Sequence, residues 1–134
     1  MTAAERVLIV GGVLNLAYGV LLGLSIVVTR VKGAPATPRY LLAAHLGTLM
    51  QAAVLLGLVW AARLSALGAG WLDVAAWLIV VASALVAVKD TVNWLMGVKD
   101  EFGEKSKAAL LGGLAALPET IGVGIFVVGV LEAL

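Results

Sequence analysis

The sequence has no cysteine, one histidine and few charged residues for its length of 134. The lack of cysteine excludes disulfides, thiolate metal sites and cysteine nucleophiles. A single histidine, His45, excludes a multi-histidine metal site within one chain. Charged residues make up 13% of the chain, against about 25% in soluble domains. This composition excludes a disordered chain, an ordinary soluble enzyme and a nucleic-acid partner.

Apolar residues are abundant instead, at 63% of the chain with a mean hydropathy of +1.12. They form four long runs, at about 7–29, 40–62, 71–98 and 108–134. Each run exceeds the roughly 20 residues that cross a hydrocarbon core of about 30 Å, and spans without alternating polarity must be helices. The sequence therefore predicts an all-α four-helix membrane bundle, one domain over 1–134. The first run is too long for a cleavable signal, so we expect a retained span.

The basic residues favour one orientation in the membrane. The segments joining the first and second runs, and the third and fourth, carry six of them in total, whereas the opposite side carries Arg6 and Arg63. The positive-inside rule then places both joining segments in the cytoplasm and both termini outside. We expect a multi-pass protein of the cytoplasmic (inner) membrane, surrounded by lipid.

Glycine is frequent inside the runs, with 16 copies in the chain. Gly19 and Gly23 form a G-x-x-x-G pattern in the first run, and Gly122, Gly124 and Gly129 lie in the fourth. Small residues let membrane helices approach closely. We expect close helix contacts at these positions, within or between subunits.

Polar residues inside the runs carry the functional information, because an ionisable group at membrane depth costs roughly 2.5–3.5 kcal/mol. Counting along the helices at about 1.5 Å per residue places those of the last three runs between the cytoplasmic boundary and the mid-plane, which predicts one shared polar site. Gln51 lies about 120° around its helix from His45, so it needs a subunit contact or a broad cavity. The polar residues within the four runs are Asn15, Tyr18, His45, Thr48, Gln51, Lys89, Asp90, Asn93, Glu119 and Thr120.

Each candidate also has a structural interpretation. His45 can be a neutral imidazole that bonds two helices, or a metal ligand. Asp90 can form an ion pair with Lys89 or Arg63 as readily as it can act in catalysis. Glu119 can satisfy backbone groups freed by the neighbouring proline.

Two further expectations concern the remaining polar groups. Lys89 can reach the headgroups or pair with Asp90 or Glu119. The residues expected to hold helices together are Asn15, Tyr18 and Thr48.

A single histidine in an apolar, glycine-rich bundle suits one further role, that of the axial ligand of a haem. The segments 44–51 (AHLGTLMQ), 55–64 (LLGLVWAARL) and 92–94 (VNW) together resemble the small four-helix membrane isomerases. These are the hydroxylaminobenzene mutases and, more distantly, the styrene oxide isomerases. The resemblance covers the second and third runs, about half of the chain.

The resemblance implies a homotrimer that binds haem b at subunit interfaces, with His45 as the axial ligand of the ferric iron. It implies a rearrangement without net redox chemistry, either epoxide to aldehyde or arylhydroxylamine to aminophenol. The substrate that the resemblance implies is small, apolar and aromatic. Asp90 or Glu119 would stabilise positive charge, and Asn93 and Gln51 would orient the substrate.

The chain departs from the pattern of these families at four places. Gln51 stands where the families have asparagine, and Ala62 replaces a proline. No tyrosine follows Asn93, and the Lys89–Asp90 pair one turn earlier is not expected of the mutases. Two other functions stay open at this point. One is a non-catalytic helical membrane protein, and the other is a proton-coupled transporter or channel subunit that uses His45, Asp90 and Glu119.

Overall fold

The computed structural model describes residues 1–134 and is all-helical. Four helices account for most of the chain: α1 (Ala3–Val31), α2 (Arg39–Leu64), α3 (Ala69–Leu95) and α4 (Ala109–Leu131). All four are long and apolar enough to cross a membrane. The predicted four-span bundle is confirmed, and the chain is a multi-pass membrane protein by the length and composition of its helices.

The helices pack around α2 and α3. Helix α1 packs against both of them, α4 packs mainly against α3, and α1 and α4 do not touch. Both chain termini and the short α2–α3 link lie at one end, which we call the termini end. The segments 32–38 and 96–108 lie at the other end, which we call the loop end.

Apolar side chains fill the bundle towards both ends. The larger cluster lies at the termini end, around Leu8, Leu55, Ile79 and Phe126. A smaller cluster at the loop end contains Leu22, Leu41 and Ala44. The outward faces carry many exposed large apolar side chains, as expected of helices that face lipid tails rather than water.

The helix ends differ from the predicted run boundaries for reasons of capping. Helix α1 begins earlier than expected because Thr2 caps it, with the Thr2 hydroxyl accepting from the Glu5 amide and the Glu5 carboxylate accepting from the Thr2 amide. This reciprocal arrangement is a capping box. Helix α4 ends at Leu131, three residues before the end of its apolar run.

Helix α3 ends at Leu95 rather than 98 because Gly97 adopts the left-handed conformation, with φ +69°. The Gly97 amide donates to the Trp94 carbonyl, and the Val98 amide donates to the Asn93 carbonyl. These two bonds are a Schellman motif. Helix α1 ends in the same way at Gly33, with φ +92°.

Glycine allows α1 and α2 to approach closely, as predicted for the G-x-x-x-G pattern. A Cβ on Gly19 would lie 2.7 Å from Leu49 Cδ2, and one on Gly23 would lie 3.0 Å from His45 Cε1. In α4, Gly122 similarly faces Ile79 of α3, whereas Gly124 faces open space. A Cβ on Gly129 would collide with Ser65 and Leu67 of the α2–α3 link, so the close contacts lie within the chain at four of the five predicted glycines.

Replacement of Gly97 by alanine should destabilise the protein by roughly 1–2 kcal/mol, because an L side chain is strained in the left-handed region. Thermal unfolding in detergent measures the effect. Gly113→Ala is the matched control, since Gly113 lies within α4 with nothing within 4 Å of an added Cβ, and alanine should be neutral or stabilising there. Equal melting temperatures for the two variants would contradict the assigned Schellman motif.

Candidate functional site

Polar side chains form two separate pairs between helices near the middle of the bundle. Asn15 of α1 donates to the Ser83 hydroxyl of α3 over 3.1 Å. Gln51 of α2 donates through Nε2 to Glu119 Oε1 of α4 over 2.9 Å. Each of these residues lies close to the midpoint of its helix. The chain thus has a polar layer at the depth where lipid offers no hydrogen-bond partners.

The Gln51–Glu119 hydrogen bond joins α2 to α4. These two helices have the smallest contact of all the helix pairs that pack together. The Gln51 Oε1 atom is buried and has no hydrogen-bond partner. An unpaired buried acceptor costs about 1–3 kcal/mol. The Gln51 amide oxygen is therefore a free hydrogen-bond acceptor in this mid-membrane layer.

His45 lies on the other side of α2, against α1. Its Nδ1 is 2.7 Å from the Gly19 carbonyl oxygen. Since a carbonyl can only accept, Nδ1 carries a proton and donates, and in the neutral ring Nε2 then keeps its lone pair. The Nε2 atom makes no hydrogen bond and is not fully buried.

This orientation of His45 is the one that metal-binding imidazoles adopt, because a ligating histidine almost always donates its other ring N–H to a carbonyl, carboxylate or water. The missing Cβ of Gly23 gives the ring its room. No group of three or more His, Cys, Asp or Glu side chains converges on a possible ion site. A ligand set of one imidazole fits a haem, which brings four nitrogen ligands of its own.

A separate charged network closes the loop end of the bundle. Lys89 Nζ lies 3.0 Å from Asp90 Oδ1 and 3.4 Å from Glu101 Oε1. All three side chains are largely buried, with exposed fractions of 16%, 9% and 13%. Of the partners expected for Lys89, the structure shows Asp90 and not Glu119; its second partner, Glu101, lies in the segment 96–108.

Asn93 belongs to the same network and is fully buried. Its Nδ2 donates to Glu101 Oε2 over 2.9 Å, and its Oδ1 accepts from the Ser106 hydroxyl. The Glu101 amide donates to the Tyr40 hydroxyl over 2.9 Å. Glu101 therefore fastens the segment 96–108 to both α2 and α3.

The structure does not bring the predicted site residues together within one chain. His45 faces α1, and Gln51 and Glu119 meet between α2 and α4. Asp90 pairs with Lys89 of its own helix, and Asn93 bonds to the segment 96–108. The single shared site expected from depth alone is wrong for the isolated chain. Residues at similar depth point to different sides of their helices, and depth does not determine which neighbour they meet.

The expected packing roles are partly confirmed. Asn15 bonds α1 to α3, and the Tyr18 hydroxyl lies 2.6 Å from the Thr91 hydroxyl of α3. Thr48 instead donates to the Ala44 carbonyl of its own helix. Arg63 pairs with Glu5 at the termini end rather than with Asp90.

Sequence reasoning missed Glu101, Ser106 and Tyr40 as site residues. Glu101 is one of three acidic residues in a hydrophilic segment, and nothing in the pattern separates it from Glu104, whose carboxylate is exposed and accepts from nearby backbone amides. The only available signal was Lys89, two helical turns before the segment, because an ammonium group has three hydrogens and can bond to a second carboxylate besides Asp90.

Comparisons of the chain with protein-family models, with curated proteins and with solved structures find no match. The resemblance to the small membrane isomerases therefore rests on the residues quoted above, and the activity it implies stays a prediction.

Replacement of Glu101 by alanine should release the segment 96–108, because Lys89 and Asn93 each lose a buried partner. We expect a loss of about 1–3 kcal/mol of stability and faster tryptic cleavage at Lys99 and Lys105. Glu104→Ala is the control, since its bonds are exposed and should contribute less. Similar cleavage rates in both variants would show that Glu101 does not hold the segment.

Proposed function

We propose that the chain is a membrane-embedded, haem b-dependent isomerase that rearranges a small apolar, aromatic epoxide or arylhydroxylamine. The observation that carries the proposal is the geometry of His45. Its Nδ1–H is held by the Gly19 carbonyl, and its Nε2 is left unpaired at membrane depth. The reaction class comes from the motif resemblance in α2 and α3.

His45 supplies what a haem site requires of the protein. The hydrogen bond that Nδ1–H donates to the Gly19 carbonyl fixes the tautomer and the orientation of the ring. Apolar lipid-facing surface and the glycines of α1 surround the ring. When bound, ferric haem would supply a Lewis acid with one open coordination position for a substrate oxygen or nitrogen.

The residues of the chain would stabilise and orient the substrate. Opening a C–O or N–O bond develops positive charge on the substrate, and a fixed carboxylate stabilises such charge strongly in a low-dielectric site. Glu119 is positioned by Gln51, whose own Oε1 is free to accept from a substrate donor. Asn93 could orient a substrate only after giving up Glu101 or Ser106, because both of its polar atoms are paired. Asp90 already holds Lys89 through one carboxylate oxygen.

A homotrimer would reconcile the separated residues. His45 and the Gln51–Glu119 pair lie on different sides of α2, so they meet only if one subunit's α1–α2 surface contacts another's α2–α4 surface. Such a contact joins two different surfaces, and repetition around an axis closes a ring. Assembly as a trimer with haem between subunits is therefore part of the proposal.

The proposed location is the cytoplasmic membrane, with the loop end in the cytoplasm and both termini outside. The support is the excess of lysine and arginine at the loop end. Lipid is the solvent of the site, and apolar aromatic substrates partition into it.

The alternative that an observation favours is a non-catalytic membrane protein. Its support is the pairing of Asn93 with Glu101 and Ser106 and the ion pair of Asp90 with Lys89, which place both residues in structural contacts. A proton relay through His45, Asp90 and Glu119 has less support, because these three residues have separate partners on separate sides of the helices.

The cofactor assignment is tested by the absorption spectrum of protein purified in detergent after expression with haem supply. We expect a Soret band in the wild type and its loss in His45→Ala, because no other imidazole exists in the chain. Thr48→Ala is the control, since the Thr48 hydroxyl bonds only to backbone carbonyls of its own helix, those of Ala44 and His45, and to neither ring nitrogen. A Soret band in His45→Ala, or none in the wild type, would refute the haem assignment.

The catalytic roles are tested by measuring turnover and Soret absorbance together. Loss of a preorganised charge or donor should lower kcat by about 10²-fold or more while leaving haem bound. We expect this in Glu119→Gln and Gln51→Ala. Asp90→Asn and Asn93→Ala test the other predicted pair, with Glu132→Gln, an exposed residue beyond α4, as control. If all four variants keep wild-type turnover, none of these residues is catalytic.

A further inference from the structure

A crevice of about 280 Å³ lies between α1 and α3, on the side of α1 away from His45. The small side chains of Ala84 and Ala87 open it, and Leu14 and Val88 at its edge are 64% and 50% exposed. It therefore opens towards lipid. Its volume is at the low end of ligand pockets, which span roughly 300–1,000 Å³, and suits a molecule of one ring.

The lining is apolar except for Asn15, Tyr18 and Thr91. Both hydrogens of the Asn15 amide are in use, since Nδ2 donates to the Gly11 carbonyl over 2.9 Å and to the Ser83 hydroxyl over 3.1 Å. The Asn15 Oδ1 atom accepts no hydrogen bond and is not fully buried. Asn15 thus offers the crevice an acceptor and no donor.

The two hydroxyls can be assigned in the same way. Thr91 has one hydroxyl hydrogen, and it donates to the Ala87 carbonyl over 2.8 Å. In the 2.6 Å contact between the two hydroxyls, Tyr18 must therefore be the donor. The Tyr18 oxygen keeps its lone pairs but has no hydrogen left to give.

We propose that this crevice binds a small, lipid-soluble aromatic molecule that carries an O–H or N–H donor, such as a phenol or an aniline. The oxygen atoms of Asn15 and Tyr18 can each accept a further hydrogen bond, and they lie in apolar surroundings with little water, where an unpaired polar group costs free energy. A ring fills the space beside Ala84 and Ala87, and its donor bonds to Asn15 or Tyr18. Hydrocarbons, ethers and acyl chains fill the same space without satisfying these acceptors.

This site is independent of the proposed haem function. It lies on the α3 side of α1, whereas His45 contacts α1 from the α2 side. None of the residues proposed for catalysis lines it.

The test is photolabelling of the full chain in lipid nanodiscs with a phenol that bears a diazirine, followed by mass mapping of the labelled peptides. The competitors are 4-ethylphenol and its methyl ether, compared at equal concentration in the membrane. We expect label on the parts of α1 and α3 that line the crevice. The phenol should compete about three- to tenfold better than the ether, which corresponds to one net hydrogen bond.

Variants test whether the photolabel binds in the crevice. Ala84→Leu should abolish labelling by filling the space, and Ala116→Leu is the matched control, because Ala116 is an exposed alanine of α4 outside the crevice. Tyr18→Phe should reduce the preference for the phenol over the ether. His45→Ala should label like the wild type, which separates this site from the haem proposal.

Three results would overturn the proposal. Equal competition by the phenol and its ether would indicate an apolar groove filled by acyl chains. Equal labelling of wild type and Ala84→Leu would place the ligand elsewhere. The absence of label from α1 and α3 in folded wild-type protein would show that another copy of the chain or lipid covers the crevice.

Discussion

The structure depends on one constraint, that a polar group inside a bilayer must find its partner within the protein. The backbone meets it by forming four helices, and capping bonds close some of their ends, as at Thr2 and Gly97. Polar side chains meet it by bonding across helices, as Asn15 does with Ser83. Because lipid provides no hydrophobic force between helices, these bonds and the close glycine contacts determine which helices are neighbours.

The fold could be predicted from the sequence because the bilayer fixes length and secondary structure together. An apolar run longer than about 20 residues has one stable conformation at membrane depth, and all four runs became helices. The boundaries were less predictable, since they depend on local bonds. Hydropathy extends the third run to 98, whereas the left-handed Gly97 ends α3 at Leu95.

The candidate site could be predicted as a set of residues but not as an arrangement. Counting residues along each helix predicts the depth of a side chain in the membrane, and Gln51 and Glu119 do lie at the same depth. The direction of each side chain depends on how the helices are rotated, which hydropathy does not encode when a helix is apolar on all sides. His45 and Gln51 were expected on different faces from the helical period alone, and the structure agrees. Glu101 reaches the bundle through tertiary contacts that no periodicity records.

The adjacency of Lys89 and Asp90 has a consequence for biosynthesis. A single charge inside a span raises the free energy of transfer from the translocon to lipid, by roughly 2.5–3.5 kcal/mol at the centre and by less towards the loop end, where Lys89 and Asp90 lie. Here the two opposite charges are consecutive in the chain and 3.0 Å apart, so α3 carries its own counterion into the bilayer. The helix can therefore partition into lipid before the ribosome has exposed Glu101, which follows it in the chain. The ion pair makes integration of α3 independent of the later docking that completes the network.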